Sequence, residues 1–150
     1  MKKSLLILFL VLTTILSCEK DDICIEPNTP NLLITFYNKD TTDLKKSVTG
    51  LSVWIDGKEK IYDTKTLDSI SIPIDINAEN THYKFASEDI EDDINFTYNR
   101  NDIFISRSCG YKTIFENFSI ENYSQNWINS IEILNTTIEN ETTAHIHIYH

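Results

Sequence analysis

A chain of 150 residues, 41% of them hydrophobic, suits one domain with a buried core and is short for two. Its 23 acidic side chains outnumber the 13 basic ones and leave a net charge of −10. Nucleic acid is therefore excluded as a partner, because phosphate binding needs a basic footprint.

Residues 1–17 have the three zones of an export signal. Lys2 and Lys3 open it, residues 5–16 are apolar apart from Thr13 and Thr14, and Ser17 is the small residue at its end. As a helix the apolar run would measure about 18 Å at ~1.5 Å per residue, short of the roughly 20 residues that a membrane span needs. Ile15-Leu16-Ser17-Cys18 resembles the lipobox of bacterial lipoproteins, with Leu16 standing where a small residue is usual. That resemblance implies cleavage before Cys18 and lipidation of its sulfur. Acyl chains, at ~0.8 kcal/mol per buried CH₂, would then moor the chain to a membrane. Glu19-Lys20-Asp21-Asp22 resembles the surface-export signal of Bacteroidota lipoproteins; otherwise it is a charged, solvated tether. The location implied is a lipid-anchored outer-membrane protein, displayed outward or else facing the periplasm.

Cleavage before Cys18 removes Lys2 and Lys3, leaving 11 basic and 23 acidic side chains and a net charge of −12. Such a surface repels anionic headgroups and keeps the domain in solution. With Cys18 lipidated, Cys24 and Cys109 remain as a pair, and an oxidising envelope favours a disulfide between them. The bond would span 85 positions, for which loop-closure entropy gives about 4–5 kcal/mol. The organisation expected is a signal over 1–17, a lipidated tether over 18–30 and one domain over 31–150.

Glu26-Pro27-Asn28-Thr29-Pro30 is a stiff lead-in, since each proline fixes φ and disfavours helix before it. Short alternating runs follow. Leu32, Ile34 and Phe36 share one face of a strand, with Thr35 and Tyr37 on the other. Leu51, Val53 and Ile55 repeat the pattern; Asp56-Gly57 is a hairpin signal, with 58–62 as the returning strand. Ile70, Ile72, Ile74 and Ile76 keep period two, and Pro73 marks an edge or a bulge. Tyr83 and Phe85 come next, then Ile94, Phe96 and Tyr98, then Ile103 and Ile105. Tyr111, Thr113 and Phe115, the pair Ile131 and Ile133, and residues 143–149 complete the series.

About nine short strands predict an all-β fold, an antiparallel β-sandwich of immunoglobulin or transthyretin type. Only three glycines are present, so the 14 asparagines and the aspartates are expected to serve the turns. Over 120–131 the spacing of Ile120, Tyr123, Trp127 and Ile131 also fits one short helix.

Chemistry is thinly represented. His145 and His147 share a face of a strand, roughly 6.6 Å apart at ~3.3 Å per residue, a spacing that grips zinc or copper if a third ligand joins them. The simpler reading has Ile146 and Ile148 inside and both histidines outside, with no metal. Glu88, Asp89, Glu91, Asp92 and Asp93 read as a solvated acidic loop lacking the spaced ligands and glycine of an EF-hand. No G-x-S-x-G, H-E-x-x-H or phosphate-cradling glycine loop occurs, and no free thiol is left as a nucleophile. No catalytic residue and no cofactor are assigned. Asp40-Thr41-Thr42 and Asp68-Ser69-Ile70 resemble the short O-glycosylation motif of Bacteroidota.

Cys18 with its acidic tether, Cys24 before Pro27 and Pro30, "NLLITFYNKD", "SISIPIDIN", "SCGY" and "NETTAHIHIYH" together resemble an uncharacterised family of small Bacteroidota lipoproteins. The resemblance implies a location and a fold and carries no activity. The function expected is a non-enzymatic outer-membrane lipoprotein, an interaction or accessory module that meets an envelope protein through a strand edge or an aromatic patch near Tyr123 and Trp127. The alternative is capture of a small ligand, glycan or metal, which needs a pocket with exposed aromatics or clustered imidazoles.

Overall fold

Period-two alternation puts every second side chain on one face, and strands form wherever isoleucine, phenylalanine and tyrosine carry that alternation. The computed structural model describes residues 23–25 and 29–150; the expected export signal over 1–17, Cys18 and residues 19–22 lie outside them. Nine strands run in chain order: β1 Leu32–Tyr37, β2 Val48–Trp54, β3 Tyr62–Leu67, β4 Ser69–Ile72, β5 Asn80–Ser87, β6 Ile90–Ser106, β7 Gly110–Tyr123, β8 Ser130–Ile133 and β9 Ile146–Tyr149. Two sheets, β4-β1-β9-β8 and β3-β2-β5-β6-β7, pack together as the expected β-sandwich. One pair, β1 with β9, is parallel; the others are antiparallel.

The first sheet is built on an apolar register. Ile34 lies between Ile70 of β4 and Ile146 of β9, Leu32 opposes Ile72, and Phe36 opposes Ile148. All seven side chains are buried against Val53, Phe85, Phe96, Phe115 and Phe118 of the second sheet. Burial of each contributes about 1.5–3 kcal/mol relative to exposure, the main force holding the sheets together. Pro73 follows edge strand β4 directly, where its missing N–H costs no ladder bond.

Several sequence readings change, among them the closing strand, which starts at Ile146 rather than at Thr143. The turn at Asp56-Gly57 forms, with Gly57 at φ +77°, but the returning strand starts at Tyr62 rather than at Lys58. Lys58, Glu59 and Lys60 offer the core no apolar face, and Lys60 instead sets its ammonium 5.5 Å from the Trp54 ring centre. Ile94 to Tyr98 and Ile103 to Ile105 belong to the single 17-residue strand β6 rather than to two strands.

The short helix over 120–131 does not form. Ile120 and Tyr123 lie in β7, and no helix occurs among the described residues. The helical spacing has another cause. Asn95 pairs with Asn122 but Phe96 with Ile120, and Thr97 pairs with Ser119 but Asn99 with Glu116, so β7 carries an extra residue at each shift. Each β-bulge turns a two-residue repeat into three, which is why Phe115 to Phe118 and Ile120 to Tyr123 resemble turns of a helix. Asn117, at φ 52°, sits in the second bulge, a left-handed conformation that asparagine tolerates.

Candidate functional site

The β6–β7 hairpin outgrows its sheet. β5 pairs with β6 only as far as Thr97, and beyond that point β6 and β7 continue as a two-stranded arm. Cross-strand bonds hold the arm together: Asn101 Nδ2 donates to Glu116 (2.9 Å), and the Thr113 hydroxyl donates to Asp102 (2.6 Å). Arg100 lies 3.6 Å from the Asp102 carboxylate. At the base of the arm, Phe115 and Ile138 exchange backbone hydrogen bonds.

At the tip, Gly110 takes φ +71° and the Cys109 N–H donates to Ser106 Oγ (3.1 Å). Cys24 is disulfide-bonded to Cys109, with their Cα atoms 4.9 Å apart, as the cysteine count led us to expect. The Thr113 N–H donates to Thr29 Oγ1 (3.0 Å), a second point holding the lead-in to the arm. Phe104 and Tyr111 face each other across the hairpin, ring centres 5.3 Å apart, yet are 55% and 71% exposed. Ile23 and Ile25, on either side of Cys24, are 84% and 89% exposed. Four large apolar side chains thus stand in water around one disulfide. Residues 103–112 contain Arg107 and Lys112 and no carboxylate, against the acidic balance of the whole chain.

The acidic stretch is only partly a solvated loop. Glu88 and Asp89 make the exposed turn between β5 and β6, but Asp92 is fully buried on β6. Its Oδ1 accepts from Ser124 Oγ (2.5 Å) and the Asn126 N–H (2.8 Å), and its Oδ2 accepts from the N–H groups of Trp127 (2.8 Å) and Ile128 (2.9 Å). Burial pushes this carboxyl up, but the four hydrogen bonds outweigh it and hold the group below its ordinary value. Asp92 therefore shapes the loop that carries Trp127. The indole N–H donates to Phe85 O (3.2 Å), and the ring lies 6.3 Å from Phe36, packed on the core rather than standing free as a platform. Beside it Lys39, Gln125, Asn126 and Asn129 line a shallow polar hollow of about 320 Å³. Tyr123, the other member of the expected aromatic patch, is also partly buried.

The two histidines part company. His145 is buried: its Nδ1 accepts from the Leu33 N–H (2.9 Å), and its Nε2 lies 2.9 Å from Asn140 O. Those partners define a neutral ring protonated at Nε2, and burial accordingly holds its pKa below 6.5. Neither nitrogen is free for a metal. The His147 ring lies 4.4 Å from that of Tyr37, tilted 45° to it, and 3.8 Å from Glu132, while burial keeps its pKa down as well. Glu132 also accepts from the Tyr149 hydroxyl (2.7 Å), which pushes that phenol up to about 12. Of the glycosylation motifs, Thr41 stands in an exposed turn, whereas Ser69 opens edge strand β4 half-buried and donates to Asp68.

Asp92 and the aromatic pair on the arm were not singled out from sequence. A signal existed for Phe104, since its parity on β6 is opposite to that of Ile103 and Ile105; none existed for Asp92, whose partners lie 32 to 36 positions away.

No curated protein and no solved structure matches the chain. Residues 47–150 match the profile of a family of unknown function, a stretch that begins just before β2 and leaves out β1 and Cys24. The chain belongs to this family, DUF6452.

Proposed function

We propose that the protein is a non-enzymatic lipoprotein of the outer membrane, moored through lipid on Cys18 and displayed outward. There it serves as an interaction or accessory module for another envelope protein. The observation that carries this reading is the Cys24–Cys109 disulfide. It uses two of the three cysteines, the count that lipidation of Cys18, behind an apolar run, calls for. The resemblance to small Bacteroidota lipoproteins supports the same address. Crosslinking in intact cells, followed by purification, is expected to recover one envelope protein in constant ratio. Recovery of none would count against the module. Protease shaving of intact cells reports the side: outward display predicts loss of the domain, and inward display its survival.

A second reading, capture of a glycan, draws on the polar hollow beside Trp127. It predicts a saturable change of tryptophan fluorescence with an oligosaccharide, and a flat titration across a broad glycan set would remove it. The metal form of that reading has less to draw on, because both ring nitrogens of His145 are engaged.

A further inference from the structure

We propose that the tip of the β6–β7 arm rests in the headgroup region of the bilayer that holds the protein, with Phe104, Tyr111, Ile23 and Ile25 dipping inward and Arg107 facing the phosphates. The inference rests on the lipid anchor proposed for Cys18, and three observations carry it further.

The first is reach. Cys18 and Cys24 are six positions apart, at most about 20 Å of extended chain at ~3.3–3.6 Å per residue. The disulfide holds the Cys24 Cα 4.9 Å from that of Cys109, two positions before Tyr111. The arm tip is thus the part of the domain tied by the shortest path to the lipid. The second is composition. An aromatic pair open to water, two exposed isoleucines and an exposed arginine are the side chains that favour a membrane–water boundary, where rings sit at headgroup depth and cationic stems snorkel. The third is charge. Residues 103–112 carry Arg107 and Lys112 and no anion in a chain whose balance is strongly acidic; Lys112 Nζ donates to Glu139 O (3.3 Å), so Arg107 is the cation that the tip presents to phosphates. The tether's own Asp21 and Asp22 make zwitterionic headgroups the better partner.

The test uses the full lipidated protein carrying Phe104→Trp, with Tyr111→Trp as a second reporter, in phosphatidylcholine and phosphatidylethanolamine vesicles containing brominated phosphatidylcholine. Both sites are exposed, so a larger ring is accommodated. Relative to wild type, whose Trp54 and Trp127 set the background, the added emission should be largely lost to bromine and shielded from iodide. Added emission that ignores bromine and stays open to iodide would overturn the proposal. Shielding from iodide without bromine quenching would overturn it too, giving the tip to a second protein chain. Intact mass tests the premise separately. If Cys18 carries no lipid, the anchor falls, and the same vesicles test the tip alone: quenching supports its membrane contact and its absence refutes it.

Discussion

Asp92→Asn keeps the size of a fully buried side chain and changes only what its outer atoms offer. The carboxylate accepts four hydrogen bonds, three of them from backbone N–H groups of the loop that leads to β8. An asparagine keeps one acceptor oxygen and so two of these bonds. Its NH₂ group meets two donors, of which only the Ser124 hydroxyl can turn to accept. Hydrogen bonds to a charged group contribute about 1.5–3 kcal/mol each, so losing the Asn126 bond and leaving that buried N–H unpaired should cost about 2–3 kcal/mol. That is a large share of the roughly 5–15 kcal/mol that holds a domain folded. Urea unfolding should show a lower midpoint at unchanged slope. Acidification gives an independent sign. The folded carboxyl lies below its ordinary 3.8, so its contribution is complete above that pH and is lost as pH falls through the lower, folded value. The variant should lack this part of the acid-induced loss. A cost under about 1 kcal/mol, or an acid limb identical to wild type, would refute the clamp.

Three further outcomes are expected. Cys109→Ser, or reduction, opens a link across 85 positions and should cost about 2–5 kcal/mol in urea, with no shift if the bond is absent in solution. His145→Gln should cost about 1–3 kcal/mol by orphaning the buried Leu33 N–H or Asn140 carbonyl. In the wild type the folded ring binds its proton more weakly than the unfolded one, so stability should decline as pH falls below 6.5, and the variant should show less of that decline. Gly50→Ala places a Cβ 3.1 Å from the Glu88 nitrogen at φ +64°, and thermal melts should report a loss of about 1–3 kcal/mol rather than the gain usual for glycine to alanine.

The strands were legible wherever alternation ran undisturbed. Ile70 with Ile72, Tyr83 with Phe85, and Ile146 with Ile148 point inward as their spacing requires. What misled was irregularity of period. Two bulges in β7 convert a strand into three-residue steps, and a local pattern cannot separate these from one face of a helix. The buried polar residues were hidden for a different reason. Asp92 sits among four other acids, so composition marks it as solvated, while the donors that make its burial tolerable lie more than thirty positions away. His145 is similar, since its partner Leu33 is 112 positions distant and comes alongside only when β1 and β9 pair. The cysteines were the most legible long-range contact, because reading Cys18 as the lipidated one of three left a single pairing, Cys24 with Cys109.

That arithmetic is also where the account is most directly open to contradiction. The mass of the intact protein purified from its own membranes, followed by fragmentation, reads the N-terminal residue, its acylation and the thiol count together. The account predicts a chain starting at Cys18, heavier than its sequence by several acyl groups on that residue, with Cys24 and Cys109 oxidised. A chain of bare sequence mass, or a free thiol at Cys24 or Cys109, would contradict it.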